Sequence, residues 1–236
     1  MIILNVSCNQ KDDSMTDVMD QPSTPTQATQ QAISLPEAVR AQTFSDGMSW
    51  DDFSRIWDEM GPFELINGEV VPVGTKSYTH IRILRRLNLA INNFAAAGNL
   101  GEGYTEGTFI RPGTTNRNWV RGSRIPDFMF YAQARLDAYD ATLQESDDAR
   151  PPALIPDLVV EVISKTDGFF VVEEKIEGYL QDGVQLVWVI TPPLRLIYVH
   201  SAGSNSIQKL GQGQSLAGGD VLPGFTLAVN EVFALG

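Results

Sequence analysis

Apolar residues recur at helical spacing from Trp50 onward: Trp50, Phe53, Ile56 and Trp57 share one side, with Ser49 placed to cap the helix and Asp52 in its first turn. The period then changes. FELINGEVVPV holds two short apolar runs around Asn67-Gly68, the pair a two-residue hairpin turn selects because both central residues take positive φ. Leu84, Leu87, Ile91 and Phe94 form the stripe of a helix predicted over Thr79–Ala97, with Arg82, Arg85, Arg86, Asn92 and Asn93 opposite and Gly98 as its stop. Strands are predicted near Tyr104–Arg111, over Arg124–Tyr131 and over Leu158–Ser164. The last is almost wholly Val, Ile and Leu, as a strand buried on both faces requires. A helix over Phe169–Asp182 carries Val172, Ile176, Tyr179 and Leu180 on one face and stops at Gly183. Leu186–Ile190 and Arg195–His200 are two further strands on either side of Pro192-Pro193.

The intervening segments are polar. Ala132–Pro156 is a link rich in Asp, Ala and Pro, and the glycine-rich C-terminal stretch from Ser206 reads as short strands and turns. Residues 1–40 contain DQPSTPTQATQQ and almost nothing to bury, so they are expected to form a disordered tail before a single domain over 41–236. The expected fold is α/β: a mixed sheet whose core runs helix, strand, strand, strand, helix, strand (αβββαβ), with an N-terminal β-hairpin and a C-terminal β extension.

Composition narrows the chemistry. The 236 residues, 43% of them hydrophobic, are enough for a sizeable core. One cysteine excludes a disulfide framework, and two histidines, His80 and His200, leave little for a histidine-rich zinc site. No apolar run is long enough to span a membrane, and the opening MIILNVSC lacks the basic and apolar regions of a signal peptide, so a cytoplasmic location is expected. The net charge of −12 argues against promiscuous nucleic-acid binding. It is unevenly spread, however. Lys76, Arg82, Arg85, Arg86, Arg111, Arg117, Arg121 and Arg124 face only Glu102 and Glu106 in one stretch, a net of +6. From Asp127 to Asp182, thirteen acidic residues outweigh four basic ones, a net of −9. Either these are two solvated faces, or a phosphate-facing rim lies beside a metal-binding centre.

Two Pro-Asp pairs enter strands, at Pro126-Asp127 and Pro156-Asp157, and Glu161 interrupts LVVEVIS. A carboxylate in such a strand is costly unless paired, protonated or bound to a cation. If the Asp127 strand lies alongside, Asp127 and Glu161 converge at one sheet edge and offer the oxygen ligands Mg²⁺ uses; otherwise the aspartates are turn residues and Glu161 pairs with a nearby base. Lys175 flanks the apolar stripe of the following helix, from which its ammonium reaches the strand ends or simply meets solvent. His80 opens the long helix, and Glu64 sits in the hairpin. Phosphate-loop, dinucleotide-binding and zincin motifs are absent, and Ser164 has no histidine nearby in sequence.

FELINGEVV, His80, RIPDFMFY, PDLVVEVIS, EEKIEGYLQDGVQLVWVI and VLPGFTLAVNEVF, in this order across residues 49–235, resemble the bacterial Uma-type family, a domain of unknown function within the restriction-endonuclease-like PD-(D/E)xK superfamily. The resemblance implies metal-dependent hydrolysis of phosphodiester bonds in DNA. Asp127 and Glu161 correspond to the metal-binding acids, with Mg²⁺ or Mn²⁺ as the cofactor. The lysine expected two residues after Glu161 is Ile163, and its relocated counterpart is Lys175; Glu64 and His80 also match family positions. A homodimer that cuts two strands is expected, joined through the hairpin Phe63–Val73 or the C-terminal β region. The competing readings are a catalytically silent binding or regulatory module of the same fold and a hydrolase of RNA or small phosphoesters.

Overall fold

The computed structural model describes residues 44–111, 118–165 and 167–234. The expected tail, residues 1–40, and Arg117 lie outside the described residues. Helix α1 (Trp50–Met60) starts where the sequence places it, with the Ser49 hydroxyl accepting the Asp52 N–H, and follows the short strand β1 (Met48–Ser49). Strands β2 (Phe63–Ile66) and β3 (Glu69–Pro72) form the hairpin, and Asn67 and Gly68 both take positive φ, 50° and 83°. Helix α2 (Tyr78–Gly98) is capped by Ser77 and runs one residue further than predicted; Asn99, at φ 50°, is its left-handed cap, in place of Gly98.

Two predicted strands are each broken in two. Tyr104–Arg111 divides into β4 (Gly101–Thr105) and β5 (Phe109–Ile110), because Glu106 turns the backbone at φ 53°. After β6 (Trp119–Val120), the Arg124–Tyr131 prediction divides at Pro126-Asp127 into β7 (Ser123–Arg124) and β8 (Phe128–Ala132). Proline lacks the N–H a ladder needs, which separates β7 from β8, and at both breaks the chain passes from one sheet to another. The link predicted after Ala132 contains helix α3 (Gln133–Asp140), whose weak apolar stripe hides it from periodicity.

Strand β9 (Leu158–Val162), helix α4 (Phe169–Asp182) and strand β10 (Leu186–Thr191) follow, with Gly183 ending the helix at φ 110°. Beyond them lie β11 (Leu196–Ser201), β12 (Gln208–Leu210), β13 (Ser215–Ala217), β14 (Thr226–Ala228) and the four-residue α5 (Val229–Val232). The main sheet has the order β12-β11-β10-β9-β8-β4; β9 and β10 run parallel across α4, and the other pairs are antiparallel. The core order α2, β4, β8, β9, α4, β10 is the αβββαβ arrangement expected.

Strand alternation divides the core. Phe128, Phe130, Leu158, Val160 and Val162 pack with Leu84, Leu87 and Ile91 of α2 on one face. Met129, Tyr131 and Val159 pack with Ile176 and Tyr179 of α4 on the other. A smaller sheet, β3-β2-β7-β5, carries α1 and buries Phe53, Ile56, Phe63, Leu65 and Val70. Phe63, Leu65 and Val70 of the hairpin are therefore consumed inside the chain, while Val71 stays exposed. The exposed apolar run is Phe169, Phe170 and Val171, which open α4.

Candidate active site

The site lies where the two sheets meet. Antiparallel pairing of β8 with β9 sets Phe128 opposite Val160, so the next residues outward, Asp127 and Glu161, share one end of the strand pair. Both stand on the α4 side by alternation, in step with Met129 and Val159. The Val162 N–H donates to Asp127 Oδ2 at 2.7 Å, tying one acid to the backbone beside the other. Lys175 reaches down from α4, with Nζ 3.0 Å from Glu161 Oε1 and 3.5 Å from Glu64 Oε1. Glu64 comes from β2 of the smaller sheet and accepts the Ile125 N–H at 2.8 Å. His80, in the first turn of α2, sets Nε2 3.1 Å from Asp127 Oδ1, off the line of a good hydrogen bond. All five residues singled out from sequence therefore gather at one place, and Glu64, Asp127, Glu161 and Lys175 line a cleft of about 440 Å³.

Three further residues belong to this arrangement. Lys76, from the segment before α2, puts its ammonium on Asp127 Oδ1. The Tyr179 hydroxyl donates to Glu161 Oε1 at 2.6 Å. Arg124 lies over the Tyr179 ring, 5.6 Å from its centroid, with Nε 3.3 Å from Asp182 Oδ2. Lys76 carries no sequence signal beyond membership of the basic stretch. Tyr179 does carry one: it stands four residues after Lys175 and so falls on the same helix face.

Burial dominates the electrostatics. Desolvation pushes the Glu161 carboxyl up to about 7, against the pull of Lys175, with Asp127 and Glu64 adding to the rise. Burial alone would lower the Lys175 ammonium, but Glu161 and then Glu64 outweigh it and hold the group protonated. Asp127 is buried too, yet the contacts from His80 and Lys76 bring its carboxyl below the usual range. One acid thus has a lysine on one oxygen with His80 beside it, while the other shares a single lysine with Glu64.

Asp157 has a different job. Its carboxylate accepts from the Ala132 N–H, Arg135 and Gln185, which ties the start of β9 to α3 and to the strand beside it. The basic stretch is also partly committed, since Arg111 and Arg124 both meet Asp182.

A family model described as "Uma2: Putative restriction endonuclease" matches residues 50–230. The chain belongs to the Uma2 family. Its fold is similar to a crystal structure titled as a "putative nuclease belonging to DUF820" from Anabaena variabilis, at 17% identity and a TM-score of 0.62. That likeness covers 79% of this chain and 97% of the other. A search of curated proteins returned no match. Family and fold together establish the restriction-endonuclease-like architecture, and the matched span takes in all the residues gathered in the cleft. No helix among the described residues is long and apolar enough to cross a membrane.

Proposed function

We propose that the chain is a divalent-metal-dependent endonuclease that hydrolyses phosphodiester bonds of DNA. One observation carries the reading: two buried carboxylates from neighbouring strands, Asp127 and Glu161, share a cleft with a lysine from the next helix, in a family described as nucleases. The donors suit a hard cation, because both candidate ligands are carboxylates, the groups Mg²⁺ and Mn²⁺ favour. The burial cost on Glu161 is one that added positive charge would offset. Among the described residues no group of three His, Cys, Asp or Glu side chains forms a ligand cage. Asp127 and Glu161 would hold the cation, and when bound it would supply Lewis-acid polarisation of the phosphoryl group and a more acidic water.

The chain's own groups divide the remaining work. Lys175, protonated and anchored on Glu161, has N–H groups left to orient a water and to stabilise charge on phosphoryl oxygens. Tyr179 holds Glu161 Oε1 in place, and Glu64 steadies Lys175. His80 acts as a positioning residue against Asp127. Lys76, on Asp127 Oδ1, would compete with a cation for that carboxylate. Two copies of the chain, one per strand, would complete a double-strand cut.

The test is cleavage of supercoiled and single-stranded DNA with Mg²⁺ or Mn²⁺, comparing wild type with Asp127→Ala and Lys175→Ala. Nicking by the wild type that falls about a hundredfold or more in both variants is expected. Absence of nicking, or nicking that both variants retain, would overturn the reading. A second reading, a binding module that keeps the fold without cutting, draws on the ion pair by which Lys76 already occupies Asp127 Oδ1. Failure of Mg²⁺ and Mn²⁺ to bind at millimolar concentration would favour it.

A further inference from the structure

The catalytic cleft does not end at Asp127 and Glu161. Val162 and Ile163 line it and also line a second hollow of about 360 Å³, which His80, Ser164 and Lys165 border. Thr79, Pro192 and Pro193 are shared in turn between that hollow and a third, of about 230 Å³, bordered by Arg82, Arg86 and Arg195. The three form one groove across the C-terminal ends of the parallel strands β9 and β10 and along the first two turns of α2.

Several arginines of the protein are committed to acids. Arg55, Arg111, Arg124 and Arg135 each lie within ion-pairing distance of an aspartate or glutamate. Among the described residues, Arg82, Arg86 and Arg195 have no carboxylate within that distance; Arg85 and Arg121 also have none, but only these three line the hollow. This is notable in a chain with 29 acidic residues against 17 basic ones. Arg82 and Arg86 stand four residues apart on one face of α2, where like charges repel. Arg195 is held in the left-handed region at φ 53°, an uncommon conformation for a non-glycine residue, with its guanidinium 5.7 Å from the centre of the Phe233 ring. The first turn of α2 carries no acidic residue, so the positive end of the helix dipole adds to the same potential. Three unpaired cations gathered against their mutual repulsion, in a channel continuous with a phosphodiesterase-like centre, call for a polyanion.

We infer that this groove is the track for the phosphate backbone of DNA beside the bond being cut, with Arg82, Arg86 and Arg195 contacting successive phosphates; the choice of DNA rests on the nuclease reading above. The contacts are to backbone, so they set the position and affinity of the strand and carry no base preference.

The experiment measures binding apart from cutting. Anisotropy of a short fluorescent DNA duplex is titrated with protein in EDTA over a series of salt concentrations, and cleavage is assayed separately with Mg²⁺ or Mn²⁺. The proteins are wild type, the triple variant Arg82→Ala/Arg86→Ala/Arg195→Ala, its lysine counterpart, and Arg85→Ala as an exposed control on the same helix. The triple alanine variant is expected to bind at least about tenfold more weakly at low salt, with a salt slope shallower by about 3. The lysine variant is expected to keep most of the slope and Arg85→Ala all of it, which separates lost charge from lost folding. Unchanged affinity and slope in the triple alanine variant would overturn the groove and leave the nuclease reading standing. Arginine-dependent binding without cleavage would do the reverse. Absence of wild-type binding at low salt, or equal competition by an RNA duplex, would overturn the assignment to DNA.

Discussion

Glu161 occupies the middle of a strand whose other positions are leucine and valine, and it remains there only because Lys175 and Tyr179 both meet its Oε1. Its carboxyl titrates at about 7, against 4.5 for an unburied glutamate. A raised carboxyl binds its proton more tightly in the folded state, so its burial costs nothing below about pH 4.5 and the cost grows as pH rises toward 7. Glu161→Gln removes that titration but also weakens the hold on Lys175, a loss that falls at every pH. The informative quantity is therefore the change in the variant's melting temperature relative to wild type between pH 5 and pH 8. It should move in the variant's favour by several degrees, corresponding to roughly 3 kcal/mol at most. A difference that stays flat across that window would mean the burial cost is relieved in some other way. Lys76 permits a second test. Its ammonium contacts Asp127 Oδ1, the oxygen a divalent cation would also need, so Lys76→Ala should bind Mn²⁺ about tenfold more tightly in calorimetry. Unchanged or weaker binding would show that Lys76 does not compete with the metal.

Helix α4 sits over both carboxylates and carries a glycine at position 178, in its interior. Mid-helix glycine costs about 1 kcal/mol relative to alanine, so its presence needs a reason. A Cβ there would stand 2.6 Å from the Arg124 guanidinium, which threads between α4 and the smaller sheet to reach Asp182. Gly178→Ala should therefore destabilise the protein by about 1–2 kcal/mol despite the gain in helix propensity. In an Arg124→Ala background the same change should stabilise it by about 1 kcal/mol, and a double-mutant cycle without that change of sign would refute the packing argument. Legibility from sequence varies at this scale for physical reasons. Helices α1, α2 and α4 and the hairpin carry their own signals, in stripe, cap and turn residues; the start of α1 and the bounds of α2, α4 and the hairpin agree with the structure to within a residue or two. The breaks at Glu106 and at Pro126-Asp127 did not announce themselves as sheet changes, because the apolar residues on either side are the same in kind. Which sheet a short apolar run joins depends on partners far away in the chain. Helix α3 was missed for a related reason: with no buried residue it has no face to reveal it.

At the scale of the whole molecule, charge and topology combine. The net charge of −12 conceals a hollow whose arginines lack acidic partners among the described residues, while Arg111 and Arg124, from the same basic stretch, are bound to Asp182 inside the protein. A linear tally of charge cannot separate these roles, since pairing is settled by proximity in space. The sequence by itself determined the order of elements, the buried character of β9, the cost of an acid at Glu161, and the family to which the chain belongs. These follow from local period, from side-chain chemistry and from motif order, all of which are properties of the chain. Tertiary structure alone decided that Asp127 stands beside Glu161 and that Glu64 enters from a second sheet to meet Lys175. It also decided that Lys76 covers Asp127 and that Arg195 joins Arg82 and Arg86 across more than a hundred residues of chain. Each of these depends on strand register and on the crossing of elements distant in sequence, and neither leaves a local trace for periodicity to find.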